Sequence, residues 1–217
     1  MNQHLLYLVG LVVVLFSKEK KYVYNTNRGI LMVQDTSEAL KAALMQMMQE
    51  KPLDKITIAD IAEIAGINRQ TFYYHYHDIY EVVEEIFVSM GKDAFEDRHD
   101  FESWHEGLRC FLVALQKEQT FVEHCVKLLP AQEMATILCP VFENAIEAVM
   151  RDTSAELILR PQDRQLIEDF YRYALIGVIL EWIDKGMPDD ISFLADRIYL
   201  LVKDGLIGAV SGCMHLD

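Results

Sequence analysis

Residues 57 to 78 read TIADIAEIAGINRQTFYYHYHD, and this stretch decides how the chain folds. Thr57 and Asp60 have the spacing of a capping box and predict the start of a short helix. Gly66 stands at a turn that favours a residue without Cβ, because φ is positive there. Asn68 is a favourable N-cap for a second helix that runs to about Tyr76. The pattern predicts a helix-turn-helix.

The second helix has two chemically different sides, since successive residues are about 100° apart around its axis. Phe72 and Tyr76 fall on one side and are expected to anchor the helix in a core. The opposite side and its flanks carry Arg69, Gln70, Thr71, Tyr73, Tyr74, His75 and His77. Side chains of these types contact base edges and phosphates in the DNA major groove. We therefore predict DNA recognition; the alternative is an aromatic helix half-buried against a neighbouring domain.

Residues 36 to 87 resemble the DNA-binding domain of the TetR family of bacterial transcriptional regulators, most specifically in the run from Thr71 to Tyr76. The resemblance implies base-contacting or groove-facing positions for Arg69, Gln70, Thr71 and Tyr74. It implies phosphate contacts for Thr57, Tyr73 and His75. Many members carry a lysine where this chain has Ile79, and His77 is the nearest replacement. With Asn68, these residues form the predicted DNA-binding set.

The charge of the chain is unevenly distributed. The formal net charge is −14, yet residues 1–80 hold 8 basic and 8 acidic side chains, and residues 81–217 hold 12 basic and 26 acidic ones. The acidic net charge of the whole chain excludes a general nucleic-acid coat protein. A neutral head can still bind DNA because charges beyond a Debye length are screened. Specific contacts must then contribute more of the affinity.

The first 33 residues contain an apolar run of twelve, from Leu5 to Phe16. A membrane helix needs about twenty apolar residues, and the flanks lack the features of a signal peptide. We predict that this leader reflects a start codon assigned too early, with Met32 as the native start. A weak apolar anchor and a basic arm for the minor groove are the alternatives. Membrane association is not expected.

The rest of the chain has helical periodicity without strand-like alternation. Helices are predicted near 37–50, from about 78, and near 101–117, 119–128, 133–153, 162–185 and 190–211. Pro140 falls inside one of them and is expected to kink it or start it. The predicted fold class is all-α, with a three-helix helix-turn-helix domain over 34–80 and a helical regulatory and dimerisation domain over 81–217.

The last two predicted helices are apolar over more than one face. A helix of this kind must be covered on both sides. We predict that one side meets the chain's own core and the other a second copy, giving a homodimer. The C-terminal region is also similar to the TetR subgroup that includes dihydroxyacetone-kinase regulators.

No enzymatic or metal-binding pattern stands out, so we predict neither catalytic residues, metal nor cofactor. The cysteines form no CxxC pair, and small buried hydrophobes in a reducing cytosol are expected at Cys110, Cys125, Cys139 and Cys213. His105 and His124 stand beside glutamates, but metal ligation needs several convergent groups. No glycine-rich phosphate loop is present.

Large aromatic residues beside a few polar groups suit either an apolar pocket or an ordinary core. The candidate ligand contacts are Trp104, Phe111, Phe121, His124, Phe142 and Tyr173, and the family resemblance implies an effector there. We predict a cytoplasmic repressor that leaves a palindromic double-stranded operator when an effector binds. The alternatives are a regulator or activator controlled by a protein partner, and a helical interaction protein that no longer binds DNA.

Overall fold

The computed structural model describes residues 7–9, 12–17, 20–25, 29–32, 36–98, 100–153, 159–188 and 190–213. Contacts divide the chain into two compact units. The first comprises Met1–Met47 and Thr57–Ile79, and the second Met48–Ile56 and Tyr80–Asp217. A short segment that the sequence places in the head, Met48–Ile56, therefore belongs by its contacts to the second unit.

The leader forms four short strands, to which the sequence analysis assigned no structure. They are β1 (Tyr7–Val9), β2 (Val12–Ser17), β3 (Lys20–Asn25) and β4 (Gly29–Met32). They pair in sequence order as an antiparallel meander, with Val13 opposite Tyr24 and Val23 opposite Leu31. Runs of β-branched and aromatic residues favour this conformation. Among the described residues from 36 to 213 every regular element is a helix, and the predicted all-α fold with a helix-turn-helix domain is confirmed there.

The head contains the three predicted helices: α1 (Thr36–Met48), α2 (Ile58–Ile64) and α3 (Arg69–His75). The predicted capping box is present, since Thr57 Oγ1 accepts from Asp60 N at 3.2 Å and Asp60 Oδ2 from Thr57 N at 3.0 Å. The core of the head is built from fully buried side chains, among them Leu40, Leu44, Ile61 and Phe72.

The second unit is built from longer helices: α4 (Ile79–Phe95, of which Ile79 belongs to the head), α5 (Phe101–Lys117), α6 (Gln119–Leu128), α7 (Ala131–Thr153), α8 (Pro161–Asp184) and α9 (Ile191–Cys213). Helix α7 packs on α8, α5 on α9 and α8 on α9. A 3-10 turn, Leu53–Lys55, packs against α6. Helix α7 continues through Pro140, so of the two predicted outcomes, a kink or a helix start, the start is wrong. Pro161 occupies the first position of α8, where a backbone N–H would have no partner within the helix, so proline is tolerated there.

Within the described residues, no helix combines the length and the apolar character that crossing a membrane requires.

Candidate nucleic-acid interface

The turn between α2 and α3 is a Schellman motif centred on Gly66. Gly66 has φ +68°, its N–H donates to Glu63 O at 3.1 Å, and Ile67 N–H donates to Ala62 O at 2.9 Å. These bonds satisfy carbonyls that the end of α2 would otherwise leave free. Asn68 then caps α3, because its Oδ1 accepts from Thr71 N at 2.8 Å. The chain direction into α3 is thus set by backbone bonds and one side chain.

Helix α3 has a buried side and an exposed side, as predicted. Phe72 is fully buried and Tyr76 is 5% exposed, and their ring centroids lie 5.8 Å apart. Tyr74 is 86% exposed and Tyr73 59% exposed. A large aromatic side chain that loses almost no area on folding contributes little to stability. The exposed tyrosines are therefore available for a partner of the head.

The predicted DNA-binding residues all lie at or near the surface of the head. Thr71 is half-buried, and the exposed ones are Thr57, Asn68, Arg69, Gln70, Tyr73, Tyr74, His75 and His77. Two of them also have structural roles, since the oxygens of Thr57 and Asn68 cap helices. The Tyr74 and His75 rings meet edge to face at 5.4 Å, which restricts how the two side chains can move. Their contacts with DNA stay a prediction.

Helices α8 and α9 expose a row of large apolar side chains that the second unit leaves uncovered. On α8 the exposed residues are Leu166, Phe170, Tyr173 and Val178; on α9 they are Phe193, Leu200, Leu201 and Ile207. We call these eight residues the α8–α9 apolar face. Three of them, Phe170, Val178 and Leu201, line a groove of about 240 Å³ between the two helices. Exposed apolar patches of this kind mark interaction sites.

Two family profiles match the two parts of the chain. Residues 40–86 match the profile of bacterial regulatory proteins of the tetR family, and residues 102–204 match a TetR profile described as a transcriptional regulator C-terminal region. The chain belongs to the TetR family. The resemblance drawn from the helix-turn-helix is thereby confirmed, and members of this family are transcriptional regulators rather than enzymes.

Two curated relatives have similar sequences. The HTH-type dhaKLM operon transcriptional activator DhaS of Lactococcus lactis subsp. lactis (strain IL1403) is 28% identical over 88 residues, 41% of this chain and 47% of DhaS. The uncharacterized HTH-type transcriptional regulator YxbF of Bacillus subtilis (strain 168) is 26% identical over 176 residues, 79% of this chain and 46% of YxbF. This TetR-family chain thus spans about half the length of the curated relatives it matches.

A solved structure with the same fold is that of the dihydroxyacetone kinase operon activator DhaS. It superposes with a TM-score of 0.60 at 21% identity, covering 82% of this chain and 97% of the other. The predicted similarity to the dihydroxyacetone-kinase subgroup is confirmed.

Three of the predicted ligand contacts of this TetR-family protein surround one ring in the body. Phe95 lies 6.4 Å from Trp104, 6.1 Å from Phe111 and 6.3 Å from Phe142, measured between ring centroids. Trp104, Phe111 and Phe142 are fully buried. Among the described residues, nothing accepts a hydrogen bond from the Trp104 indole N–H. The cluster is packed ring against ring, and effector binding to it stays a prediction.

The other three predicted contacts lie elsewhere. Phe121 pairs with Phe87 at 5.5 Å, and His124 is half-buried. Tyr173 is 55% exposed and belongs to the α8–α9 apolar face. The sequence shows that α8 is apolar on several sides, but only packing shows which side is covered. The sequence alone therefore does not indicate that Tyr173 lies apart from the aromatic cluster around Phe95.

A charged cleft between α7 and α8 was not predicted. It has a volume of about 340 Å³ and is lined by Glu143, Ile146, Glu147, Arg164, Glu168 and Arg172. The available signal was the spacing of Arg164, Glu168 and Arg172, four residues apart on one line of α8. That spacing is also typical of ion pairs on an exposed helix surface, so it does not by itself indicate a cleft.

The largest pKa shifts in the body belong to Glu106 and Cys125. Hydrogen bonds from Arg109, at 2.8 and 2.6 Å, lower the pKa of exposed Glu106 to about 2. Burial raises the pKa of the Cys125 thiol to about 12. Cys125 is fully buried, as predicted, whereas Cys110, Cys139 and Cys213 are only half-buried. Over the described residues, no group of three His, Cys, Asp or Glu side chains suits a metal ion.

Proposed function

We propose that this TetR-family protein is a cytoplasmic regulator that binds a palindromic double-stranded operator as a homodimer. The observation that carries the proposal is the asymmetry of α3: Phe72 is fully buried while Tyr74 is 86% exposed. A helix held by one side and bare on the other can enter the major groove without unfolding any part of the head.

The exposed side of α3 has the donors that base recognition requires. Arg69 and Gln70 lie in the first turn, and these residue types make bidentate contacts with guanine and adenine. Tyr73 and His75 flank them, where phosphates of the groove edge would lie. Thr57 and His77 extend this surface at either end of the motif. Neutral net charge over residues 1–80 leaves discrimination mainly to these contacts.

The α8–α9 apolar face supports dimerisation through the last two helices. Leu201 is 73% exposed and Phe170 65% exposed, values that are costly for side chains of this size in water. A second copy can cover the same residues by two-fold symmetry, because such an interface is self-complementary. Dimerisation would fix the spacing of two heads at about one turn of DNA.

Control through the second unit completes the proposal. In the first form, an effector binds beside Trp104, Phe111 and Phe142 and releases a repressor from the operator by a coupling free energy. In the second, the chain is an activator under the control of a protein partner. Two observations favour the second form: the relative DhaS is named an activator, and the aromatic cluster is packed ring against ring.

A gel shift with the DNA upstream of the chain's own gene tests DNA binding. Arg69→Ala is expected to cost about 1–3 kcal/mol of specific binding if Arg69 contacts a base. Lys117→Ala removes one exposed cation from the body and serves as the matched control. Operator affinity that is unchanged in both Arg69→Ala and Tyr74→Ala, relative to Lys117→Ala, would show that the exposed side of α3 is not the recognition face.

Sedimentation of full-length protein tests the dimer. Phe170→Glu and Leu201→Glu place a charge in the α8–α9 apolar face and are expected to give monomers. Val113→Glu, at an exposed apolar position of α5, is the control and should stay dimeric. Dimers in all three variants would assign the interface to another surface.

A further inference from the structure

Charged residues occupy positions of α8 that continue its buried line. Ile176 and Ile183 are buried on the side of α8 that faces the core. The residues four, eight and twelve positions before Ile176 are Arg172, Glu168 and Arg164. At about 100° per residue they lie about 40°, 80° and 120° around the axis from Ile176, within the arc that also holds buried Leu175 and Trp182. Charged side chains at core-facing positions cost stability unless they are paired and hydrogen-bonded, and where they occur they often serve a function.

These side chains line the cleft between α7 and α8. The wall that α7 contributes includes Glu143, Glu147 and buried Ile146. The volume of about 340 Å³ lies at the lower end of the range for small-molecule sites, roughly 300–1,000 Å³. Apart from Ile146, the lining of the cleft is therefore charged, with three glutamates and two arginines.

The Arg172 side chain is less exposed than those of Arg164, Glu168 and Glu143. It is 13% exposed, and its guanidinium contacts Asp169 and, at 3.6 Å, Glu143. Among the described residues, no atom accepts a hydrogen bond from Arg172 Nε, although this nitrogen is buried. A buried donor without an acceptor costs free energy that a suitable ligand would recover. Arg164, paired with Glu168 at 2.7 Å, adds a second guanidinium.

We propose that this cleft binds a free α-amino acid. The ligand's carboxylate accepts hydrogen bonds from Arg172 and Arg164, and its ammonium group donates to Glu143 and Glu147. A zwitterion suits charges of both signs, since an anion alone would face three glutamates and a cation alone would leave the Arg172 donor unused.

The position of the cleft gives this binding a regulatory consequence, which rests on the proposed function. Arg164, Glu168 and Arg172 lie on the side of α8 opposite Leu166 and Phe170, which belong to the α8–α9 apolar face. A ligand that fixes α8 against α7 also fixes the surface through which two copies associate. Binding of the amino acid and binding of the operator would then change each other's affinity by the same factor.

Calorimetric titration of the full-length protein with each of the protein amino acids, singly and at millimolar concentration, tests the proposal. At least one amino acid is expected to bind, and its N-acetyl and amide derivatives are expected not to bind. No binding by any amino acid would overturn the proposal. Retained binding of the N-acetyl form would indicate an anion site, and retained binding of the amide a cation site; either result overturns the zwitterion.

Variants separate the cleft from other surfaces. Arg172→Gln and Glu143→Gln are expected to weaken binding about tenfold or more, because each removes a charge-assisted hydrogen bond. Arg109→Gln and Glu123→Gln alter ion pairs outside the cleft and should bind as the unaltered protein does. Arg172→Lys keeps the positive charge but removes the Nε donor. This variant tests the role of Arg172 in binding if Arg172→Gln fails to fold. Undiminished binding by folded cleft variants would overturn the assignment.

A gel shift on the same protein, run both without amino acid and with the amino acid that binds, keeps the two proposals apart. Amino-acid binding without operator binding would refute the proposed function and leave the cleft standing. Operator binding without amino-acid binding would support the proposed function and refute the amino-acid site in the cleft.

Discussion

Ser37 and Tyr76 are joined by a hydrogen bond of 2.6 Å between Ser37 Oγ and the Tyr76 hydroxyl. The bond links the first turn of α1 to the residue that ends α3. Tyr76 also packs its ring against Phe72, so one side chain closes the head by both a polar and an apolar contact. The orientation of α3 depends on residues that lie far apart in the sequence.

Removal of the Tyr76 hydroxyl is expected to weaken the head. Tyr76→Phe should lower the free energy of unfolding by about 1 kcal/mol, the usual contribution of one hydrogen bond. Tyr76→Ala should lower it by about 3–5 kcal/mol, since a large buried ring leaves a cavity. Urea denaturation measures both values. Tyr74→Phe is the control and should change nothing; equal stability of Tyr76→Phe and Tyr74→Phe would refute the role given to the bond.

Gly66→Ala is expected to cost about 1–2 kcal/mol of stability through backbone strain alone. The φ of Gly66 is +68°, and a Cβ added there would meet no atom within 4 Å. Gly212 lies in the last turn of α9, and a Cβ added there also meets no atom within 4 Å. Gly212→Ala should stabilise the protein slightly, since alanine favours a helix. The contrast is measured by thermal denaturation of both variants. Destabilisation by both substitutions would show that strain is not the cause at Gly66.

Tyr74→Ala is expected to lose specific operator binding while the head stays folded. The ring is exposed, so its removal costs little packing. Tyr74→Phe distinguishes the hydroxyl from the ring, and we expect it to bind with intermediate affinity. His75→Ala should weaken binding to operator and to random DNA alike, since a phosphate contact has no sequence preference. A selective loss of operator binding in His75→Ala would assign His75 to a base instead.

Alkaline pH is expected to destabilise the body through Cys125. Its pKa is about 12 in the folded protein against an ordinary value of 9.0, because burial disfavours the thiolate. The unfolded chain therefore releases its proton first as pH rises, and stability present below pH 9.0 is lost progressively up to about pH 12. Cys125→Ala should show a smaller loss over that window. Identical pH profiles of the two proteins would contradict this cause.

A chain that begins at Met32 is expected to fold and to bind the same DNA as the full chain. Leu40, Leu44, Ile61 and Phe72, the fully buried residues described for the head, all lie after this position. Circular dichroism and gel shift of the two chains make the comparison. Loss of folding in the shorter chain would show that the strands of the leader contribute to the head.

The helices were predictable because their ends carry local signals. Thr57 with Asp60, Gly66 and Asn68 act on backbone groups within a few residues, so sequence alone places them. The strands of the leader depend on pairing between segments, which periodicity does not indicate. Arg164 and Glu168 illustrate a second limit, because the same spacing suits an exposed ion pair and a cleft wall. Only the packing of α7 on α8 distinguishes the two.

The 3-10 turn between α1 and α2 limits how far the head can be exchanged between regulators independently of the second unit. Leu53 and Ile56 are buried, and the turn packs against α6 of the second unit although it lies within the sequence of the head. A chimera that joins residues 36–79 to the body of another regulator would remove the packing of this turn, and with it that of Leu53, unless the new body offers an equivalent surface. Recombination between relatives would therefore favour exchanges in which the turn and α6 are inherited together.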